Sequence, residues 1–244
     1  MPEVAWYLNV AVDVKRLASN IATSSIGIDL GLKDFAVCSN GCKVEAKQFY
    51  RDLEPALATV QRAGKKARAK SIHAKIANRR KDFLHKLSTT LVKDNGAIFV
   101  GNVNASGLAR TSMAKGVLDS GWSTFRTQLK YKCDNAAVVF KEVVQSYSTQ
   151  ECHVCHARTG PKGLAGLEIR TWSCCVCLTV HDRDVNAAKN ILARGIAQMA
   201  LKEISTSVEA KAVETKVNEA VGASATAGVG HDPLVAGIIV SSGR

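Results

Sequence analysis

Nowhere in the 244 residues does an apolar run approach the roughly 20 residues that a membrane-spanning helix requires. The start, Met1-Pro2-Glu3-Val4, also lacks the basic and then apolar build of a secretory signal. Both absences predict a cytoplasmic protein with no membrane partner. No segment repeats, and at this length, with 46% hydrophobic residues, one main domain and at most a small satellite are expected. Acidic residues nearly vanish between Arg62 and Lys93, where Asp82 stands alone against eleven basic residues.

That window carries a formal charge of +10 within a chain of +12. Its members include Arg62, Lys65, Lys66, Arg68, Lys70, Lys75, Arg79, Arg80 and Lys81. Charge so concentrated favours a polyanion, because neutralising phosphates releases condensed counterions, although a solvated helix face has the same composition. Nucleic acid is the expected partner. Eight cysteines in a cytoplasmic chain do not suggest a disulfide framework. Cys38, Cys42 and Cys133 are scattered, whereas five others crowd between Cys152 and Cys177.

Leu8, Val10, Val12 and Val14 alternate with Tyr7, Asn9, Ala11 and Asp13, the period of a half-buried strand. Residues 25–29 and 35–38 predict two more strands, and Ser39-Asn40-Gly41 turns the chain into an antiparallel return over 42–49. From Leu53 to Leu91 the apolar spacing is helical, predicting one long helix or two broken at Gly64, with the basic side chains outward. Residues 97–100 predict a buried strand ending at Gly101, 112–133 a helix, 137–144 an interior strand, and 184–197 a last helix. This order implies a mixed α/β sheet with helices on both faces.

Cys152-His153-Val154-Cys155 and Cys174-Cys175-Val176-Cys177 form two knuckles separated by eighteen residues. Two such turns close a tetrahedral zinc site of the structural kind, with Cys152, Cys155, Cys174 and Cys177 as ligands. Cys175 is the odd member, and His153 and His156 stand beside the site as alternatives. Metal binding would order the loop from Ala157 to Arg170, which has little core of its own. Asp29 at a strand end and Asp184 at the start of the last helix are ordinary turn and helix-start aspartates when taken singly. Together they suit hydrolysis that uses hard cations held by oxygens from separate elements.

Four segments in order resemble the TnpB (OrfB) family of transposon-encoded proteins: Gly27-Ile28-Asp29-Leu30-Gly31, Gly121-Trp122-Ser123-Thr124-Phe125, 147–155 and Asp182-Arg183-Asp184-Val185-Asn186-Ala187-Ala188. The resemblance covers about Trp6 to Ile196. It implies an RNase H-like, RuvC-type nuclease domain with an inserted four-cysteine zinc ribbon, cutting DNA under an RNA guide with Mg2+ or Mn2+. By position, Asp29 and Asp184 match the first and last catalytic aspartates. The family's catalytic glutamate falls on Gly101, which implies a third acid on the neighbouring strand, with Glu142 the candidate and Gln145 at the end position. The implied division is a remnant strand of a missing N-terminal domain over 1–20, the nuclease domain over 21–150 and 181–200, the ribbon over 151–180 and a flexible tail over 201–244. An endonuclease and a non-cutting nucleic-acid-binding protein both remain open.

Overall fold

Alternation of apolar residues along the first strand sets which face of the sheet receives which helix. The computed structural model describes residues 22–201 except positions 109, 112, 164, 165 and 167. The strand expected over 7–14 and nearly all of the expected tail lie outside the described residues. The chain divides into two compact units, 1–197 and 198–244, and the sheet and its helices belong to the first.

Five strands form one sheet: β1 (Ser25–Leu30), β2 (Asp34–Cys38), β3 (Lys43–Glu45), β4 (Ala97–Gly101) and β5 (Val139–Val143). Their order is β3-β2-β1-β4-β5, with β1, β2 and β3 antiparallel in turn and β4 and β5 running parallel to β1. The expected return over 42–49 pairs only as β3. Between β3 and β4 lie a short 3-10 turn, α1 (Glu54–Arg62) and α2 (Lys66–Asp94), interrupted at Gly64, whose φ of 65° a glycine tolerates. The helix expected over 112–133 is two helices, α4 (Ala114–Ser120) and α5 (Trp122–Ala136), which follow the short α3 (Ala105–Leu108). Gly121 separates them at φ 70°.

Ile26, Ile28 and Leu30 of β1 and Ile98 and Val100 of β4 face a core that includes Leu84 of α2 and Phe125, Leu129 and Cys133 of α5. Phe35 joins it edge-on to Phe83 and Phe125, with centroids 5.4 and 5.2 Å apart. The opposite face of β1 and β4 carries α6, the helix that begins at residue 183. Its backbone lies close on the sheet. A β-carbon at Gly27 would collide with the Ala188 carbonyl and come within 2.6 Å of the Leu192 nitrogen, and one at Gly195 would collide with the Phe99 ring. Between β5 and α6 the two-stranded ribbon β6 (Thr171–Ser173) and β7 (Val180–Asp182) stands apart from the main sheet. Among the described residues no helix is long and apolar enough to cross a membrane.

Because the atoms opposing Gly27 are backbone, Gly27→Ala should cost about 1–3 kcal/mol in urea denaturation. Gly116 within α4 meets only the Leu32 side chain, at 3.5 Å, so Gly116→Ala should be neutral or stabilise by about 0.5–1 kcal/mol. Equal effects of the two substitutions would contradict the close seating of α6.

Candidate active site and metal centre

Asp29 alternates with Ile28 and Leu30, which fill the α2–α5 core, so its carboxyl lies on the α6 face of β1. Asp184 reaches the same place from the first turn of α6. The N-cap is Asp182: its Oδ1 accepts the backbone N–H groups of Asp184 and Val185 at 3.0 and 3.1 Å, and its Oδ2 takes Lys43 Nζ at 2.6 Å. Capping by Asp182 leaves the Asp184 carboxylate for the cleft. There it accepts Arg170 Nη1 at 2.9 Å and Arg183 Nε at 3.3 Å. Asp29, Gln145, Ser148, Arg170, Arg183 and Asp184 line one open cavity of about 470 Å³.

Burial, with the Asp184 charge adding to it and Arg183 opposing both, raises the Asp29 carboxyl from its ordinary range to about 7. A buried acid beside a second carboxylate is the electrostatic state that a divalent cation relieves. The donors are all oxygens, as Mg2+ or Mn2+ requires. The end of β4 adds to this fit. A side chain at Gly101 would collide with Gln145 Oε1 and approach Ile191 Cδ1 to 3.0 Å. Gln145 Oε1 is itself buried with no hydrogen-bond partner among the described residues.

Glu142 is placed elsewhere. It pairs in register with Val100, whose side chain belongs to the α5 core, and its carboxylate binds Arg126 of α5 at 3.2 Å. The sheet therefore lies between Glu142 and the two aspartates. The basic window also divides. Arg62, Lys65, Lys66, Arg68, Lys70, Lys75, Arg79 and Lys81 are exposed, and along α2 only Ile76 is buried ahead of Leu84, so the first half of α2 projects from the core. Arg80 turns inward instead and binds Asp119 of α4 at 3.0 Å, and the other oxygen of Asp119 accepts the Tyr50 N–H at 2.9 Å.

Sγ atoms of Cys152, Cys155, Cys174 and Cys177 lie within 4.8 Å of one another, a cluster that can hold a metal ion. Cys175 is exposed and outside it. Backbone N–H groups of Cys177 and Val176 and the Thr159 hydroxyl aim at Cys174 and lower its thiol to about 6, which favours the thiolate that a metal needs. His181 is buried, with Nε2 3.1 Å from Cys152 Sγ and its ring 4.7 Å from that of Trp172. His153 and His156 sit beside the cluster and point to other partners: His153 Nδ1 to Asn186 Oδ1 at 3.1 Å, His156 Nδ1 to Glu151 at 3.1 Å.

A polar stripe that periodicity did not single out joins the two sites. Asn186 Nδ2 and Asn190 Nδ2 both donate to the Ser148 and Glu151 carbonyls, and Asn186 Oδ1 accepts the His153 N–H at 3.0 Å. Arg194 donates to the Val144 and Ser146 carbonyls and to the Glu151 carboxylate. The visible signal was a spacing of four along one helix face, 186, 190 and 194.

Two acids converging from β1 and α6 on a mixed sheet, with a cysteine ribbon inserted before α6, define a RuvC-type nuclease fold. Residues 8–112 match the OrfB family model described as "Probable transposase", and residues 122–191 match the "Cas12f1-like, TNB domain". The chain belongs to the TnpB/OrfB family. A Streptomyces pristinaespiralis protein named "Putative RNA-guided DNA endonuclease" is 34% identical over 80% of this chain and 51% of its own length. InsQ of Escherichia coli strain K12, named in the same way, is 26% identical over 82% of this chain and 56% of its own. The chain spans about half the length of these relatives. Cas12f1, solved by cryo-EM with sgRNA and target DNA, shares the fold at a TM-score of 0.54 and 16% identity, over 75% of this chain and 52% of its own.

With its pKa raised in the fold, Asp29 contributes stability that is fully present below about pH 4 and lost as pH rises through about 7. Without added magnesium, the stability advantage of Asp29→Asn over the parent should therefore grow between pH 5 and pH 8, by on the order of 2 kcal/mol in chemical denaturation. An advantage independent of pH would mean that Asp29 ionises in the fold without penalty.

Proposed function

We propose that this chain carries the catalytic core of an RNA-guided, divalent-metal-dependent DNA endonuclease. The observation that carries this reading is the meeting of Asp29 and Asp184, from elements at opposite ends of the domain, in one open cleft where the Asp184 charge disfavours ionisation of Asp29. Residues 21–150 and 181–200 act as the nuclease domain, and 151–180 as a ribbon holding structural Zn2+ through Cys152, Cys155, Cys174 and Cys177. Asp29 and Asp184 would hold Mg2+ or Mn2+, which when bound steadies the charge on attacking and leaving oxygens of a phosphodiester. Arg170 and Arg183 keep positive charge on the cleft wall, where a phosphate backbone would run. The exposed basic residues of α1 and α2 grip DNA or guide RNA by charge.

Gly101 favours a second reading, a protein that binds nucleic acid without cutting, because β4 offers no carboxylate to the cleft. Cleavage of labelled single- and double-stranded DNA by zinc-loaded full chain, with and without co-purified RNA, separates the two. Magnesium- or manganese-dependent cutting that disappears in Asp29→Asn and Asp184→Asn is the expected result. Cutting retained in both variants would remove the aspartates from the chemistry, and binding with no cutting under any of these conditions would leave the second reading.

Reversing charge at Arg68, Lys75 and Arg79 should weaken nucleic-acid binding uniformly across sequences. It should also make the dependence of log affinity on log salt shallower by about 3. Arg80 is unsuitable for this test because it holds Asp119. An unchanged slope would exclude the projecting half of α2 as the contact.

A further inference from the structure

We propose that His181 is a hydrogen-bond donor to the Cys152 sulfur, a residue that strengthens the hold of the four-cysteine ribbon on zinc without ligating it. The inference rests on the zinc reading of the ribbon above and concerns what surrounds the four sulfurs.

Geometry separates His181 from the ligands. The sulfurs of Cys152, Cys155, Cys174 and Cys177 lie within 4.8 Å of one another, and among the described residues no histidine nitrogen shares that cluster. Yet His181 Nε2 stands 3.1 Å from Cys152 Sγ, and both residues are buried, at 3% and 0% exposure. The direction of the bond follows from chemistry. A thiolate that holds a metal carries no proton, so the hydrogen between the two atoms has to sit on Nε2. Register fixes the ring. His181 of β7 pairs with Trp172 of β6, whose ring lies 4.7 Å away, and the His153 ring meets it edge-on at 4.9 Å.

Charge supplies the reason for a donor here. Four thiolates around one divalent ion leave an excess of negative charge, which is costly where water is excluded unless donors spread it. Three sulfurs meet donors from residues close by in the chain or in the adjoining loop. The Ala157 N–H serves Cys155, the Thr159 hydroxyl and the N–H groups of Val176 and Cys177 serve Cys174, and the Thr179 hydroxyl lies 3.3 Å from Cys177. Cys152 is met by His181, which reaches it from the strand that leads into α6. The next residue, Asp182, caps that helix. The contact with Cys152 therefore also fixes where the helix carrying Asp184 begins.

The full chain loaded with Co2+ in place of zinc tests this without any turnover, because the sulfur-to-cobalt charge-transfer absorption reports electron density on the thiolates. His181→Phe, which keeps an aromatic ring and removes the donor, should move that absorption to longer wavelength. It should also weaken zinc, measured by competition with a chromophoric chelator, by roughly tenfold or more. His181→Gln, whose amide N–H reaches the place of Nε2, should return both readings most of the way to those of the parent, a rescue that lost packing alone would not show. Unchanged absorption in His181→Phe, or a glutamine variant no better than the phenylalanine one, would overturn the proposal. The imidazole nitrogen chemical shifts of the zinc-loaded parent need no substitution: they should show Nε2 protonated, and a bare Nε2 would overturn the proposal too. A parent chain that takes up neither Co2+ nor Zn2+ would overturn the zinc reading and this inference with it.

Discussion

The closeness of α6 to the sheet is the constraint on which the cleft depends. Three glycines meet it: Gly27 of β1 opposes the Ala188 carbonyl, Gly101 of β4 lies against Ile191, and Gly195 of α6 lies against the Phe99 ring. Each is a position where even a methyl group would intrude. The helix carries Ala187 and Ala188 on its buried side, small enough to let its backbone approach. Its first turn therefore starts beside β1, and Asp184 comes into electrostatic contact with Asp29. A helix standing off by the width of one larger side chain would leave two isolated aspartates. Dense packing and the meeting of the two acids have the same cause here, since interiors forfeit dispersion contacts across even small gaps.

The same helix ties the metal centre to the cleft. Asn186, Asn190 and Arg194 present amides and a guanidinium at successive turns, and all of them bind the backbone or the acid of residues 144–153. That segment begins next to Gln145 and ends in the first knuckle. The Val144, Ser146, Ser148 and Glu151 carbonyls belong to no sheet, so without these side chains they would need water in a partly buried place. The second knuckle returns through β7, where the Arg183 N–H bonds the Arg170 carbonyl at 2.7 Å and Asp182 caps α6. Both ends of the ribbon are therefore anchored on the helix that carries Asp184. A metal held by the four thiols would constrain that anchoring, and losing it would loosen residues 144–153 before the main core, which is built on the other face of the sheet.

Much of this was legible from residue spacing because the determinants are local. Paired knuckles announce the cysteine cluster, β1 and β4 read as short apolar runs, and Gly64 divides the long helical pattern where φ turns positive. Other features were not legible, for reasons that are geometrical. A continuous helix over 112–133 fits the periodicity, but Gly121 adopts a left-handed conformation and ends one helix as it begins the next. Arg80 belongs to the basic run by composition, and only the fold brings Asp119 beneath it. Glu142 shows the deeper limit. Alternation along a strand tells which residues share a face, but not which face of one strand matches which face of another. That is a matter of register between β4 and β5, and the register sets Glu142 with Val100 and leaves the odd-numbered side chains toward α6.

Charge in the cleft follows from these placements. Two carboxylates cannot both stay ionised cheaply in a partly buried site, and the fold answers asymmetrically. Asp184 has two guanidinium partners, one from the ribbon and one from its own helix, whereas burial and the Asp184 charge raise Asp29 to about 7. A cation entering the cleft would have to displace a proton from Asp29 and compete with Arg170 and Arg183 for Asp184. On the proposed function, affinity for the ion would depend on pH through Asp29 and on the ribbon through Arg170. A phosphodiester in the same cleft would ease the second cost, because guanidinium groups released from Asp184 would find phosphate oxygens of the same geometry. Ion and nucleic acid are then expected to favour each other's binding, with the arginines exchanging one anion for another.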